Sequence, residues 1–179
     1  MKQIPMRLLL RITSIFSIFA LILLCSCREL EPENGPGSVK WGDRTVKSAT
    51  LDSLMSGETY LSVYSQIYSS KEKRTHNLTA TVSVRNTNNL DSVYIEKVEY
   101  YNTAGKLIKS FINQPVFISP METIEIVLSE DVLKGGTGAN FLFYWKKKDR
   151  TPEPFFEALM ISTSGQQGIS FTTQGRQIK

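Results

Sequence analysis

Leu78-Thr79-Ala80-Thr81-Val82-Ser83-Val84-Arg85 is the stretch that decides the fold class. Its apolar residues stand at 78, 80, 82 and 84, and its polar ones at 79, 81, 83 and 85. In an extended chain successive side chains point to opposite faces, so this alternation gives one buried face and one wet face. The same texture extends in both directions. Downstream, Val93 and Ile95 keep one phase and Val98 and Tyr100 take the other, which predicts a bulge near Glu96-Lys97. Asn102-Thr103-Ala104-Gly105 reads as a hairpin loop with Gly105 free to take positive φ, and residues 106–112 return as a strand. Pro115 and Pro120 bracket a short edge piece at 116–118. Ile124, Ile126 and Leu128 alternate with polar neighbours, and Ser129-Glu130-Asp131 reads as one helical turn capped by Ser129. Residues 141–145 are apolar on both faces, as in a central strand, and 155–161 and 169–173 supply two more strands. Upstream, residues 60–68 are rich in aromatic and β-branched side chains.

Together these make about eight short strands with no helical pattern between them, which excludes a doubly wound sheet. The expected fold is all-β: an antiparallel, immunoglobulin-like β-sandwich over residues 57–179.

The chain begins differently. Lys2, Arg7 and Arg11 precede an apolar stretch at 12–24, and no acidic residue comes before Glu29. A positive start followed by a short apolar core is the layout of a secretory signal. It is a poor membrane span, because spanning takes ~20 apolar residues and Arg11 interrupts this one. The stretch ends Leu24-Cys25-Ser26-Cys27, which resembles the lipobox of bacterial lipoproteins. The resemblance implies a signal peptide at 1–26, cleavage after Ser26 and lipid on Cys27. Cys25 is the poorer acceptor because bulky Leu24 precedes it. Several acyl chains on one cysteine would hold the protein durably in a membrane. Arg28 is not the aspartate associated with inner-membrane retention, so an outer membrane is the expected location in a Gram-negative cell. Residues 27–56 then form a lipidated cysteine and tether. Glu31-Pro32-Glu33-Asn34-Gly35-Pro36-Gly37 is polar and full of breakers. Within 39–56, Trp41 stands alone, and Leu51, Leu54 and Met55 fit one helical turn.

Processing changes the charge. Cleavage removes three basic residues and no acidic one, leaving 18 against 17 rather than 21 against 17. No basic field remains to recruit nucleic acid. With Cys25 discarded and Cys27 acylated, the mature domain has no disulfide, thiol nucleophile or cysteine metal site.

Several separated stretches together resemble a bacterial family known as domain of unknown function 3124. They are Tyr64-Ser65-Gln66-Ile67-Tyr68, Asn77-Leu78-Thr79-Ala80-Thr81 running on to Arg85-Asn86-Thr87, and Tyr100-Tyr101 with Gly105-Lys106-Leu107. Gly135-Gly136-Thr137-Gly138-Ala139-Asn140-Phe141 and Gln167-Gly168-Ile169-Ser170-Phe171 with Gly175-Arg176 complete the set, which spans roughly residues 57–178. The resemblance implies a unit found behind a signal peptide or lipobox, and it brings no catalytic residues.

Candidate sites follow from residue chemistry. Gly135, Gly136 and Gly138, with Asn140, could present backbone N–H groups to an anion or sugar; the competing account is a tight turn entering the strand at Phe141. Tyr60, Tyr64 and Tyr68 would share a strand face, and Tyr64 and Tyr68 are candidate binding residues because tyrosine joins apolar area to a polar tip. Arg176 could meet a carboxylate or a ligand. His76, the single histidine, reads as a solvated turn residue beside Lys71, Lys73 and Arg74, which leaves a serine triad and zinc without their parts. Glu122, Glu125, Glu130 and Asp131 read as surface charge, with a weak Ca²⁺ site near Glu130 and Asp131 the sharper option. No cofactor or metal is expected. The expected role is a non-enzymatic binding domain, held by lipid at the membrane and contacting an envelope protein or polymer. The alternatives are a glycan-acting enzyme using two carboxylates and capture of a small anion at the glycine loop.

Overall fold

A computed structural model describes residues 39–129, 135–162 and 168–179. The chain divides into residues 1–35 and 36–179, and all described residues lie in the second unit. The lipobox with Cys27, the expected turn at Glu130-Asp131, and Gln167 fall outside the described residues.

The described residues form twelve strands, more than the eight expected: β1 (Met55–Val63), β2 (Gln66–Tyr68), β3 (Thr75–Asn77), β4 (Thr79–Arg85), β5 (Val93–Tyr101), β6 (Leu107–Ile112), β7 (Val116–Ile118), β8 (Thr123–Leu128), β9 (Ala139–Lys147), β10 (Phe155–Ser162), β11 (Ile169–Gln174) and β12 (Arg176–Gln177). No α-helix occurs among the described residues. The front sheet runs β12-β1-β9-β5-β6, with β7 also paired to β5; the back sheet runs β11-β10-β4-β8; β2 and β3 form a separate hairpin. Every pairing is antiparallel. The result is the expected all-β sandwich, an open pair of sheets rather than a closed barrel.

Alternation places the core. Leu78, Ala80, Val82 and Val84 from the deciding stretch are buried against Phe141, Phe143 and Trp145 of the central front strand β9. Phe143 packs against Phe156 with tilted rings and centroids 4.5 Å apart, which joins the sheets. The predicted bulge is real: the β5–β9 register slips between Ile95 and Lys97. Gly105 takes φ +73° in the β5–β6 turn, as expected. At Gly175 the chain leaves the back sheet after β11 and enters the front sheet as β12. A Cβ there would lie 2.7 Å from Thr59 Cγ2 and 2.8 Å from Phe156 Cβ, so the crossing needs glycine.

Composition groups residues 39–54 with the tether, but they pack on the body. Trp41–Arg44 and Ser48–Leu51 form 3-10 turns. Val39 and Trp41 lie against the core, Leu51 is buried, and Thr45 bridges to Val116. Leu51 thus closes a short turn, whereas Met55 already belongs to β1.

Candidate functional site

Cross-strand partners in a sheet share a face, so the register of the front sheet assembles its outer surface. One row runs Arg176, Tyr60, Leu142, Glu99 and Ser110 across β12, β1, β9, β5 and β6. The row on one side is Glu58, Tyr144 and Lys97; on the other it is Ser62, Asn140 and Tyr101. Two sequence candidates, Asn140 and Arg176, therefore stand on one tyrosine-bearing face although they are far apart in the chain.

Glu99 is the centre of that face. It points to the solvent side of the sheet, yet it is only 5% exposed because its neighbours cover it. Tyr101 Oη donates to Glu99 Oε2 at 2.8 Å, Tyr144 Oη donates to the same oxygen at 3.3 Å, and Lys97 Nζ lies 2.5 Å from Oε1. Lys97 Nζ also sits 5.3 Å from the centroid of the Tyr144 ring. Burial pushes the Glu99 carboxyl up, but hydrogen bonds from Lys97, Tyr101 and Tyr144 together hold it below its ordinary range. The bond to Glu99 in turn pushes the Tyr101 phenol up to about 12. Tyr144 is raised as well, first by burial and then by the charge on Glu99. A covered carboxylate is costly unless it is paired and hydrogen-bonded; here all three partners are surface side chains, so the charge fixes the orientation of two tyrosine rings. Lys146–Glu96 and Lys179–Glu58 pairs, both at 3.1 Å, flank the cluster.

The glycine loop sits where β9 begins and is occupied by its own protein. Gly136 N–H donates to Ser65 Oγ at 2.8 Å and Gly138 N–H to Thr103 Oγ1 at 2.9 Å. Gly135 C=O accepts from Thr103 N–H at 2.9 Å and from the Thr103 hydroxyl at 3.1 Å. The buried Tyr100 phenol, raised by desolvation, bonds to Ser65 and Gly135. A Cβ on Gly135 would fall 2.1 Å from Tyr100 Oη, and Gly136 takes φ +90°. The expected anion cradle is therefore a clasp: its glycines admit close packing, and the N–H groups of Gly136 and Gly138 are already bonded.

The other candidates disperse. Tyr60, Tyr64 and Tyr68 do not share a face, because β1 ends at Val63 and the chain turns at Ser65 before β2. Tyr64 packs edge-on against Phe171 at 5.7 Å, while Tyr68 is exposed on the hairpin. His76 is a strand residue, not a turn residue: it is half-buried on β3 with Nε2 3.1 Å from Ser69 Oγ. Glu122 pairs with Arg44 at 2.5 Å and accepts Ser119 N–H at 2.7 Å, which holds its carboxyl below the ordinary range, the Arg44 bond contributing most. Glu125 is 3.3 Å from Ser83 Oγ. Glu130 and Asp131 lie outside the described residues. Among the described residues no group of three or more His, Cys, Asp and Glu gathers to hold a metal, and no helix is long and apolar enough to cross a membrane. Sequence reasoning missed Glu99 and Leu142, and it noted Tyr101 and Tyr144 only as members of a tyrosine-rich set. The available signal was a lone charge inside the run Val98-Glu99-Tyr100-Tyr101.

Two antiparallel sheets packed without closure, with a pinned tyrosine surface on one of them, define the class: an all-β sandwich domain. The chain belongs to the family described as protein of unknown function (DUF3124), whose model matches residues 56–178. A solved structure, that of Thermotoga maritima 1070, is 12% identical; the match covers 67% of this chain and 92% of that one with a TM-score of 0.44. A comparison with curated proteins finds no match.

Proposed function

We propose that the protein is a bacterial lipoprotein, anchored through lipid on Cys27, whose front-sheet outer face docks a protein partner in the cell envelope and performs no chemistry of its own. The observation that carries this reading is the row Arg176, Tyr60, Leu142 and Glu99 flanked by Tyr144 and Tyr101. Tyrosine and arginine are the side chains enriched at protein interfaces, where a rigid ring buries much area for little lost freedom. Glu99 fixes Tyr101 and Tyr144 before any partner arrives, which reduces the ordering cost of binding. The Leu24-Cys25-Ser26-Cys27 motif supports the anchor.

The test is photo-crosslinking in intact cells of the source bacterium, with the full chain carrying a photoreactive residue at Leu142 or, as a control on the back sheet, at Leu159. A discrete adduct from 142 that is absent from 159 is expected, and it should persist at reduced yield in a Cys27→Ser form that no longer takes up labelled fatty acid. Identical adducts from both positions, or none from 142, overturn the docking face. Fatty-acid labelling that survives Cys27→Ser overturns the anchor.

A further inference from the structure

On the side of the sandwich where residues 39–54, the N-terminal strap, lie, the two sheets end differently. The front sheet ends in β7, and the strap covers it: Thr45 bridges to Val116, and Val46 N–H donates to Pro115 C=O at 2.8 Å. The back sheet ends in β8, which among the described residues pairs only with β4. Asn86 N–H donates to Glu122 C=O at 2.9 Å, which fixes the phase of β8. In an antiparallel strand the backbone groups of alternate residues point to alternate sides. Residues 124, 126 and 128 therefore bond to β4, while the N–H and C=O of Thr123, Glu125 and Val127 face away from it. Open edges of this kind are normally blunted by lysine, proline or a bulge. Thr123-Ile124-Glu125-Ile126-Val127-Leu128 contains no lysine or proline, and its register with β4 is unbroken.

Beside the first half of this edge lies a groove of about 770 Å³ between β8 and the strap. Val39, Phe117 and Ile124 line it on the apolar side, and charges of both signs stand around it, Arg85 and Glu125 on the back sheet and Lys40, Asp43 and Arg44 on the strap. Arg44 is locked to Glu122 at 2.5 Å, with its guanidinium carbon 6.0 Å from the Phe117 ring centroid, so the strap wall is rigidly placed. The volume lies within the ~300–1,000 Å³ range of ligand sites.

We infer that this groove is a strand-addition site: an extended segment of a partner polypeptide pairs with the free edge of β8 at Thr123, Glu125 and Val127. Only an extended backbone presents a donor and an acceptor together at every second residue, matching an open strand edge. Side chains on the added strand alternate as well. Those facing inward meet Val39 and Ile124 and are apolar; those facing outward stand beside Thr123, which already accepts from Arg85, and Glu125, where a lysine or arginine is favoured. The site is separate from the tyrosine face and stands or falls independently of it.

The probe is a panel of short end-capped peptides with Val, Ile or Phe at alternate positions and Lys between them, titrated by fluorescence anisotropy against the full chain in detergent micelles. At least one member binds. N-methylating its residues in one alternating phase lowers affinity by roughly tenfold or more, as expected for lost backbone hydrogen bonds, while the other phase leaves it nearly unchanged. Glu125→Pro, which deletes an N–H facing the free edge and none bonded to β4, also removes binding while thermal unfolding stays cooperative. Should that variant fail to fold, the two N-methyl phases decide alone. No binding by any member, equal loss in both phases, or full binding by folded Glu125→Pro overturns the site. Self-association of the full chain that Glu125→Pro abolishes overturns the assignment of the edge to a different polypeptide.

Discussion

The outward faces of the two sheets are built from the same alternation and have opposite characters. On the front, Tyr101 and Tyr144 bond to a covered carboxylate, which fixes their rings, and strand register sets Leu142 and Tyr60 in the row beside it. On the back, the outward row runs Val127, Thr81, Leu159 and Thr172 across β8, β4, β10 and β11. Val127, Leu159 and Ile161 are 50%, 42% and 40% exposed there, and the Arg85–Glu157 pair beside them is long, at 3.7 Å, and open to water. The inward faces of both sheets are interchangeable in kind, with Val, Ile, Ala and Phe filling one core. A strand pattern thus determines what is buried, whereas a charge that has been covered determines what an outer face must look like. The front face has a defined geometry because a mispaired Glu99 would be costly; the back face has no comparable constraint.

The largest effect that separates the faces should come from Glu99→Ala. It strips Lys97, Tyr101 and Tyr144 of their shared acceptor and leaves their donors partly covered, so a loss of about 1–3 kcal/mol is expected in urea unfolding. Glu157→Ala on the back removes an open pair and should cost less than about 1 kcal/mol. Glu99 also gives the front face an acid limit. Its carboxyl titrates lower in the fold than in the unfolded chain. Its contribution is complete above the unfolded value of roughly 4.3 and is lost as pH falls through the lower folded value. Glu99→Gln flattens that part of the stability profile. Equal losses from Glu99→Ala and Glu157→Ala would erase the distinction between the faces.

Tyr101→Phe sharpens the comparison from the alkaline side. In the fold the Tyr101 phenol is held up to about 12, first by its bond to Glu99. The unfolded chain gives up that proton near pH ~10, so this residue stabilises the fold fully below that pH and loses its effect as pH rises towards the folded value. Phenylalanine retains the ring and removes the hydroxyl. Stability at neutral pH should fall by about 1 kcal/mol, and the alkaline decline should become shallower, with Tyr144 and the buried Tyr100 contributing to what remains because both are raised too. An unchanged alkaline limb in Tyr101→Phe would mean that the hydroxyl does not bond to Glu99 in solution.

Most strands were legible because period two is a local property: Leu78 to Val84, Ile124 to Leu128 and the slip at Glu96 each show within one segment. β2, β3 and β12 are two or three residues long, too short for alternation to register. The strap has no period at all and is held by contacts distant in sequence, such as Arg44 with Glu122 and Thr45 with Val116. The tyrosine face was illegible for the same reason. Tyr60, Glu99, Leu142 and Arg176 come from four strands, and only their mutual register makes them one row. The glycine loop drew attention for the right residues and the wrong cause: Gly135 and Gly136 are required by Tyr100 and by backbone geometry rather than by a ligand.

The smallest expected effect is the most exacting test of the contrast. Leu159→Thr places a third hydroxyl residue between Thr81 and Thr172 on an outer position that is 42% exposed. Threonine keeps a high strand propensity, and surface changes away from special features usually fall within about 0.5 kcal/mol. Its thermal midpoint should therefore match that of the parent. Leu142→Thr is the same chemical change on the front, but Leu142 stands directly across from the covered Glu99, so the change is expected to open that carboxylate to water. There the substitution should cost about 1 kcal/mol, through the apolar area lost, and it should move the acid limit, because water at Glu99 relieves the burial that pushes its carboxyl up while it weakens the field of Lys97. If the two threonine variants unfold at the same temperature with the same pH profile, the cover over Glu99 does not depend on Leu142, and the two faces differ in composition without differing in construction.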